Sequence, residues 1–222
     1  ASVSYGTDAL GGVINLITKK AQTQEWGVDM NGYMESVGTY NADGRVGFQK
    51  KNHLLAISVG RYFFRGYNLL DDRRSWQWNP KTQYFTELQY GYRIKDMTLR
   101  YTGNYYHEKI SNKGALRAPF FIDAFDDYYR TQRIVNSLSL NGFFKKKNHI
   151  DVVLSYSHFK RKKNTYYKDM VTLEEELTTA EGDQDTSFFD LWLLRAIYDR
   201  KVANDKLNIQ LGYDMNWETT QG

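Results

Sequence analysis

The chain has no cysteine, two prolines and four histidines in 222 residues, and no run of apolar residues long enough for a membrane-crossing helix. The missing cysteine excludes a disulfide scaffold and a cysteine-ligated zinc site, and is compatible with an oxidising envelope compartment. The missing apolar run, with a mean hydropathy of −0.67, excludes a helical span only. A strand-built membrane wall keeps its apolar half in alternation, so its average stays low. Charge of one sign is also lacking: 30 basic against 26 acidic residues leave +4, poor ground for a nucleic-acid partner. The basic residues fall in short clusters, Lys50-Lys51, Lys145 to Lys147 and Arg161 to Lys163, beside apolar segments. Chemistry is scarce too. His53, His107, His149 and His158 lack the helical spacing of a zinc protease site. Asp71-Asp72, Asp126-Asp127 and Glu174 to Glu176 read as solvated loop charge. No catalytic set emerges, and the sequence argues against an enzyme.

What is abundant is aromatic: 16% of the chain, with eighteen tyrosines, as the girdles of a membrane barrel require. After Lys20 the chain falls into segments of about ten residues that alternate apolar and polar, the length of a tilted membrane-crossing strand. Trp26, Val28, Met30 and Met34 alternate with Asp29, Asn31 and Glu35. Leu55, Ile57 and Val59 oppose Ala56, Ser58 and Gly60, and Ile150, Val152, Leu154 and Tyr156 oppose Asp151, Ser155 and Ser157. The clearest run is Leu207 to Glu218, where Ile209, Leu211, Tyr213, Met215 and Trp217 alternate with Asn208, Gln210, Gly212, Asp214 and Asn216. A period of two over that length is no helix.

Phe188 to Tyr198 is apolar on both faces. Turning its odd positions to lipid would place Arg195 in the apolar band at a cost of about 2–4 kcal/mol near the midplane, whereas the even register exposes Asp190 near the rim. Phe188, Trp192, Leu194, Ala196 and Tyr198 are therefore expected on the apolar side. Short links (Lys50 to Asn52, Lys95-Asp96, Lys145 to Asn148, Ala203 to Asp205) alternate with long ones, Arg65 to Lys81, Lys109 to Thr131 and Lys160 to Thr186. Short and long ends in alternation are those of an outer-membrane barrel. The first hairpin, near Val37 to Tyr40, departs from the rule.

The opening stretch is Tyr5-Gly6-Thr7-Asp8-Ala9-Leu10-Gly11-Gly12, then Val13-Ile14-Asn15-Leu16-Ile17-Thr18. It resembles the C-terminal end of the plug domain of TonB-dependent outer-membrane receptors. In that family a tyrosine-glycine pair, an alanine, two glycines and Val-Ile-Asn-(Ile/Leu)-x-Thr mark the last plug strand. Tyr5, Gly6, Ala9, Gly11, Gly12 and Asn15 fill those places; Ser4 stands where the family has an apolar residue. The resemblance implies an all-β architecture: residues 1–20 as the end of a plug and 21–222 as the N-terminal part of an antiparallel transmembrane β-barrel. About nine strands of an expected twenty-two would be present. Ala1 falls inside the motif, so the chain reads as beginning part-way through a plug.

The resemblance also implies a function: import of a scarce large nutrient, foremost a ferric siderophore and alternatively cobalamin or an oligosaccharide. The TonB complex would supply energy through a segment upstream of Ala1. A passive porin or adhesin barrel satisfies the alternation and loop pattern but leaves residues 1–20 unexplained. Outer-membrane lipid and lipopolysaccharide would be the surroundings. Trp76 and Trp78, two apart in a polar stretch, are candidates for a stacking platform or for rim packing. Arg73, Arg74 and Arg117 suit an anionic ligand or lipopolysaccharide phosphates equally. Leu116 to Phe125 is apolar enough to be expected against the mouth, a neighbouring loop or a partner. Glu181-Gly182-Asp183-Gln184-Asp185 carries oxygens suited to a hard cation, but its spacing fits no complete calcium ligand set. No cofactor is expected. Asp29, Glu35, Arg45, Glu87, Arg93 and Arg100 are expected to face the plug.

Overall fold

The computed structural model describes residues 25–69, 74, 76–145, 147–202 and 207–221. The whole plug-end motif (Tyr5, Gly6, Ala9, Gly11, Gly12, Asn15), Arg73 and the link at 203–205 lie outside them. Among the described residues there is no helix; the chain is one open antiparallel sheet. Its strands are β1 (Trp26–Glu35), β2 (Thr39–Lys50), β3 (His53–Phe64), β4 (Lys81–Ile94), β5 (Met97–Lys113), β6 (Asp123–Phe144), β7 (Asn148–Asp169), β8 (Glu175–Leu177), β9 (Gln184–Val202) and β10 (Leu207–Gln221). Each strand pairs with its predecessor except β9, which pairs with β7 while the three-residue β8 caps the far end of β7.

Directly paired residues share a face, so register shows how the alternation adds up. One row runs Trp26, Phe48, Leu55, Tyr90, Tyr101, Leu138, Leu154, Leu194 and Met215 across nine strands. Every member is apolar or aromatic. A row of opposite parity runs Asp29, Arg45, Ser58, Glu87 and Asn104. The sheet therefore has an apolar face and a polar face. Among the described residues no core lies between them: Ala56 and Ala124 are the buried hydrophobic residues, while Met30, Leu211 and Trp217 stand 81%, 63% and 67% exposed. A soluble sheet of this size would bury such side chains against a second layer.

In β9 the even register holds: Trp192 and Leu194 pair with Tyr156 and Leu154 on the apolar face. Arg195 turns the other way and meets Asp214 at 2.9 Å. Two of the polar residues on the apolar face, Asn136 and Asp190, are partnered from within. Asn136 accepts the Tyr101 hydroxyl at 2.7 Å. Gly103, directly opposite Asn136, makes the room, since a Cβ there would lie 2.7 Å from that hydroxyl oxygen. Asp190 accepts from the Tyr156 hydroxyl at 2.7 Å and faces the His158 Nδ1 at 2.8 Å.

The short links at Lys50 to Asn52 and Lys95-Asp96 are tight hairpins. Lys51 and Lys95 take φ of +52° and +53°, the left-handed setting that matches a two-residue turn to the strand twist. The long connections differ from expectation. Residues 109–113, 123–131 and 160–169 are strand rather than loop, and β6 and β7 reach twenty-two residues each. At the usual rise that is about 70 Å, more than twice the hydrocarbon thickness of a bilayer. The apolar alternation stops where the apolar band stops, but the backbone ladder continues.

Candidate functional site: the polar face and its mouth

The polar face is knit by side-chain hydrogen bonds between neighbouring strands. Asn31 donates to Asp43 (2.9 Å) and Tyr62 to the other oxygen of Asp43 (3.3 Å). Arg45 donates to Gln89 (3.2 Å), whose amide donates to Glu87 (2.7 Å). Opposite Gly60, the Phe85 ring occupies the space a side chain would take: a Cβ at 60 would fall 2.1 Å from it. Tyr62 meets that ring edge-on at 5.0 Å. Asp29, Arg45 and Glu87, expected on this face, share one row; Glu35, Arg93 and Arg100 have the same parity.

Towards the long-loop end this face opens into a cleft of about 680 Å³ lined by Asn41, Tyr62, Phe64, Trp78, Lys81 and Gln83, among others. Asn41, Tyr62 and Gln83 are one register row. Gln83 donates to the Glu108 carboxylate (2.6 Å) and the Tyr106 hydroxyl (2.9 Å), so the floor is polar and fixed. The segment between β3 and β4 forms the wall. Tyr67 and Trp78 exchange backbone hydrogen bonds (3.0 and 3.1 Å) and their rings lie 5.5 Å apart. Gly66, at φ +91°, has no space for a Cβ between Pro80 and Trp76. The result is an exposed indole (Trp78, 62%) beside an ammonium (Lys81) and neutral amides, a surface for a planar ligand with acceptor oxygens.

The residues singled out from sequence have separate fates. Trp76 and Trp78 do not form a common platform: Trp76 lines a second cleft with Arg65, Gly66 and Tyr67, while Trp78 lines the first. A spacing of two aligns side chains only in a continuous strand, and the Tyr67–Trp78 bridge interrupts this segment. Arg74 is clasped rather than offered. Its guanidinium pairs with the fully buried Asp126, donates to the Gly114 carbonyl at 3.0 Å and lies 3.4 Å from the Met170 sulfur. Arg117 is half-exposed, pairs with Asp123 at 3.4 Å and stacks 4.7 Å from the Phe125 ring.

The apolar tip is tied by its backbone to the loop after β7, through Met170 N–H to the Ile122 carbonyl (2.8 Å). Its phenylalanines stay exposed, Phe120 at 77% and Phe121 at 58%. Residues 181–185 close the turn into β9, with Lys163 donating to the Gly182 carbonyl and Gln184 to those of Thr165 and Thr178. Nearby, Thr172 and Val171 N–H groups hold the Asp169 carboxyl below its ordinary pKa, and the hydrogen bond from Lys168 to Glu175 (2.6 Å) holds that ammonium above its own. Lys81 and the Asn41–Tyr62–Gln83 row were not singled out from sequence; aligning the strands in register is the signal that finds them.

No family model and no curated protein matches this sequence. Among solved structures, the ferric preacinetobactin receptor BauA of Acinetobacter baumannii superposes with a TM-score of 0.53 at 11% identity, over 88% of this chain and 37% of that one. At that identity the likeness is one of fold: this chain is an all-β antiparallel sheet built like part of the wall of a β-barrel receptor.

Proposed function

We propose that the chain is part of the wall of an outer-membrane receptor that imports a scarce large nutrient, with a ferric siderophore as the first candidate. The observation that carries the reading is the two-faced sheet, without a core among the described residues: nine strands share a continuous apolar row on one side, and β1 to β5 carry a polar row on the other. Lipid is the environment that accepts the first, and a hydrated plug the second. The motif at residues 5–18 supports a plug, and with it a TonB-driven opening. Trp78 and Lys81 in the mouth cleft suit the planar, oxygen-rich shell of a ferric chelate. Cobalamin or an oligosaccharide is the alternative cargo.

The test is uptake of labelled ferric siderophores by iron-starved cells with and without the gene. Accumulation that depends on the gene and stops when the inner membrane is de-energised is expected. Gene-dependent flux that persists after de-energising would identify a passive porin instead.

A further inference from the structure

Gly91 stands inside β4 with no conformational reason to be a glycine. The ladders to β3 and β5 run through it without a bulge, pairing it with Leu54 and Arg100. A Cβ there would meet the Leu54 side chain at an ordinary 3.5 Å, and its φ lies outside the left-handed region. A glycine inside a strand weakens it, and where neither bulge nor bend explains it, it marks a place where another group comes close. Here the bare backbone floors a cleft of about 480 Å³ at the short-turn end of the polar face, lined by Gln49, Lys51, Leu54, Arg93 and Arg100 among others.

Three cations converge on that floor. Arg100 is the direct partner of Gly91, and Arg93 stands two residues along β4, opposite Thr98. The two arginines are therefore diagonal neighbours on one face, with backbones about 7–8 Å apart. Lys51 reaches the cleft from the turn between β2 and β3, which the Arg93 N–H ties to β4 through the Asn52 carbonyl at 2.8 Å. Among the described residues none of the three meets a carboxylate. The acids in the two arginine rows are remote or engaged: Asp151 lies two strands from Arg100, and Asp214 holds Arg195. Elsewhere on this face Asp43 and Glu87 have their own amide donors, Asn31 and Gln89.

We infer that Lys51, Arg93 and Arg100, over the bare floor of Gly91, bind an oxyanion group, and that in the working receptor the outgoing cargo carries it. Guanidinium forks suit carboxylate and phosphate oxygens, and the missing side chain at 91 lets such a group settle against the backbone. In the proposed setting the short turns face the periplasm, so this is a foothold at the exit, far from the mouth cleft of Trp78 and Lys81. The inference rests on the importer reading above and narrows its cargo: an acidic chelate finds a partner here, and a neutral oligosaccharide finds none.

The full-length receptor, purified in detergent, is titrated with citrate by calorimetry. Wild type is expected to bind citrate at one site. R93Q/R100Q is expected to bind it about tenfold more weakly or worse, the loss of at least one charge-assisted hydrogen bond. G91L fills the floor without removing a charge and is expected to weaken citrate to a similar degree, whereas K95Q, a turn lysine outside the cleft, is expected to match wild type. Should R93Q/R100Q fail to fold, G91L and K51Q carry the same expectation, K51Q with a smaller loss. No citrate binding by wild type, or undiminished binding by G91L and R93Q/R100Q, would overturn the site. In iron-starved cells, R93Q/R100Q is expected to bind labelled ferric siderophore at the surface as wild type does and to accumulate it several-fold more slowly. Accumulation at the wild-type rate would overturn the assignment to cargo. Wild-type cells that accumulate no siderophore would overturn the importer reading, while the citrate result stands.

Discussion

Asn136 sets the terms at the residue scale, because its amide lies on the face whose other occupants are Leu138, Ile134 and Leu154. A polar group in hydrocarbon is tolerated when its partner comes with it, and here the Tyr101 hydroxyl supplies the hydrogen bond. Tyr101→Phe keeps the ring and removes only that donor. We expect a loss of about 1–3 kcal/mol, read as a lower urea midpoint for unfolding of the barrel from lipid vesicles. An unchanged midpoint would mean that the amide is already solvated. The apolar face was readable in the sequence residue by residue, since a strand with one apolar face carries a period of two. Asn136 was not, because its acceptability depends on a tyrosine from the neighbouring strand.

Elements show why the upper half of the molecule resisted reading. Above the band both faces meet polar surroundings, so Tyr128, Lys160 to Lys163 and Thr165 no longer alternate, and an ordered ladder looks like a loop. Period-two hydrophobicity reports the environment of a strand, not the strand itself. The Arg74 clasp belongs to this scale, because one side chain joins the segment before β4, the turn after β5, the start of β6 and the loop after β7. Sequence suggested a ligand-facing arginine; burial beside Asp126 reassigns it to holding these elements together. Arg74→Ala strands the Asp126 carboxylate, a kind of loss that costs about 3–5 kcal/mol when a buried pair is broken. Faster amide exchange and proteolysis in residues 114–126, with the lower wall still protected, are the expected signs. Uniform destabilisation of the whole sheet would contradict the clasp.

For the whole molecule, the proposed membrane setting makes stability depend on which side of the sheet meets which solvent. Leu138 and Ser137 are neighbours in sequence and opposite in face. Lysine at 138 is expected to cost about 2–4 kcal/mol if that face meets the bilayer interior, and lysine at 137 much less. Refolding yields into vesicles compare the two. A soluble protein with a water-facing Leu138 would show no such asymmetry. The register of β9 follows the expectation drawn from charge: Arg195 sits on the polar side against Asp214.

The unbroken ladder between β6 and β7 bears on how such a mouth would shut. Twenty-two residues of each strand are paired from the short turn to the far end, so this hairpin has no joint at which to bend over a captured cargo. It is a fixed palisade.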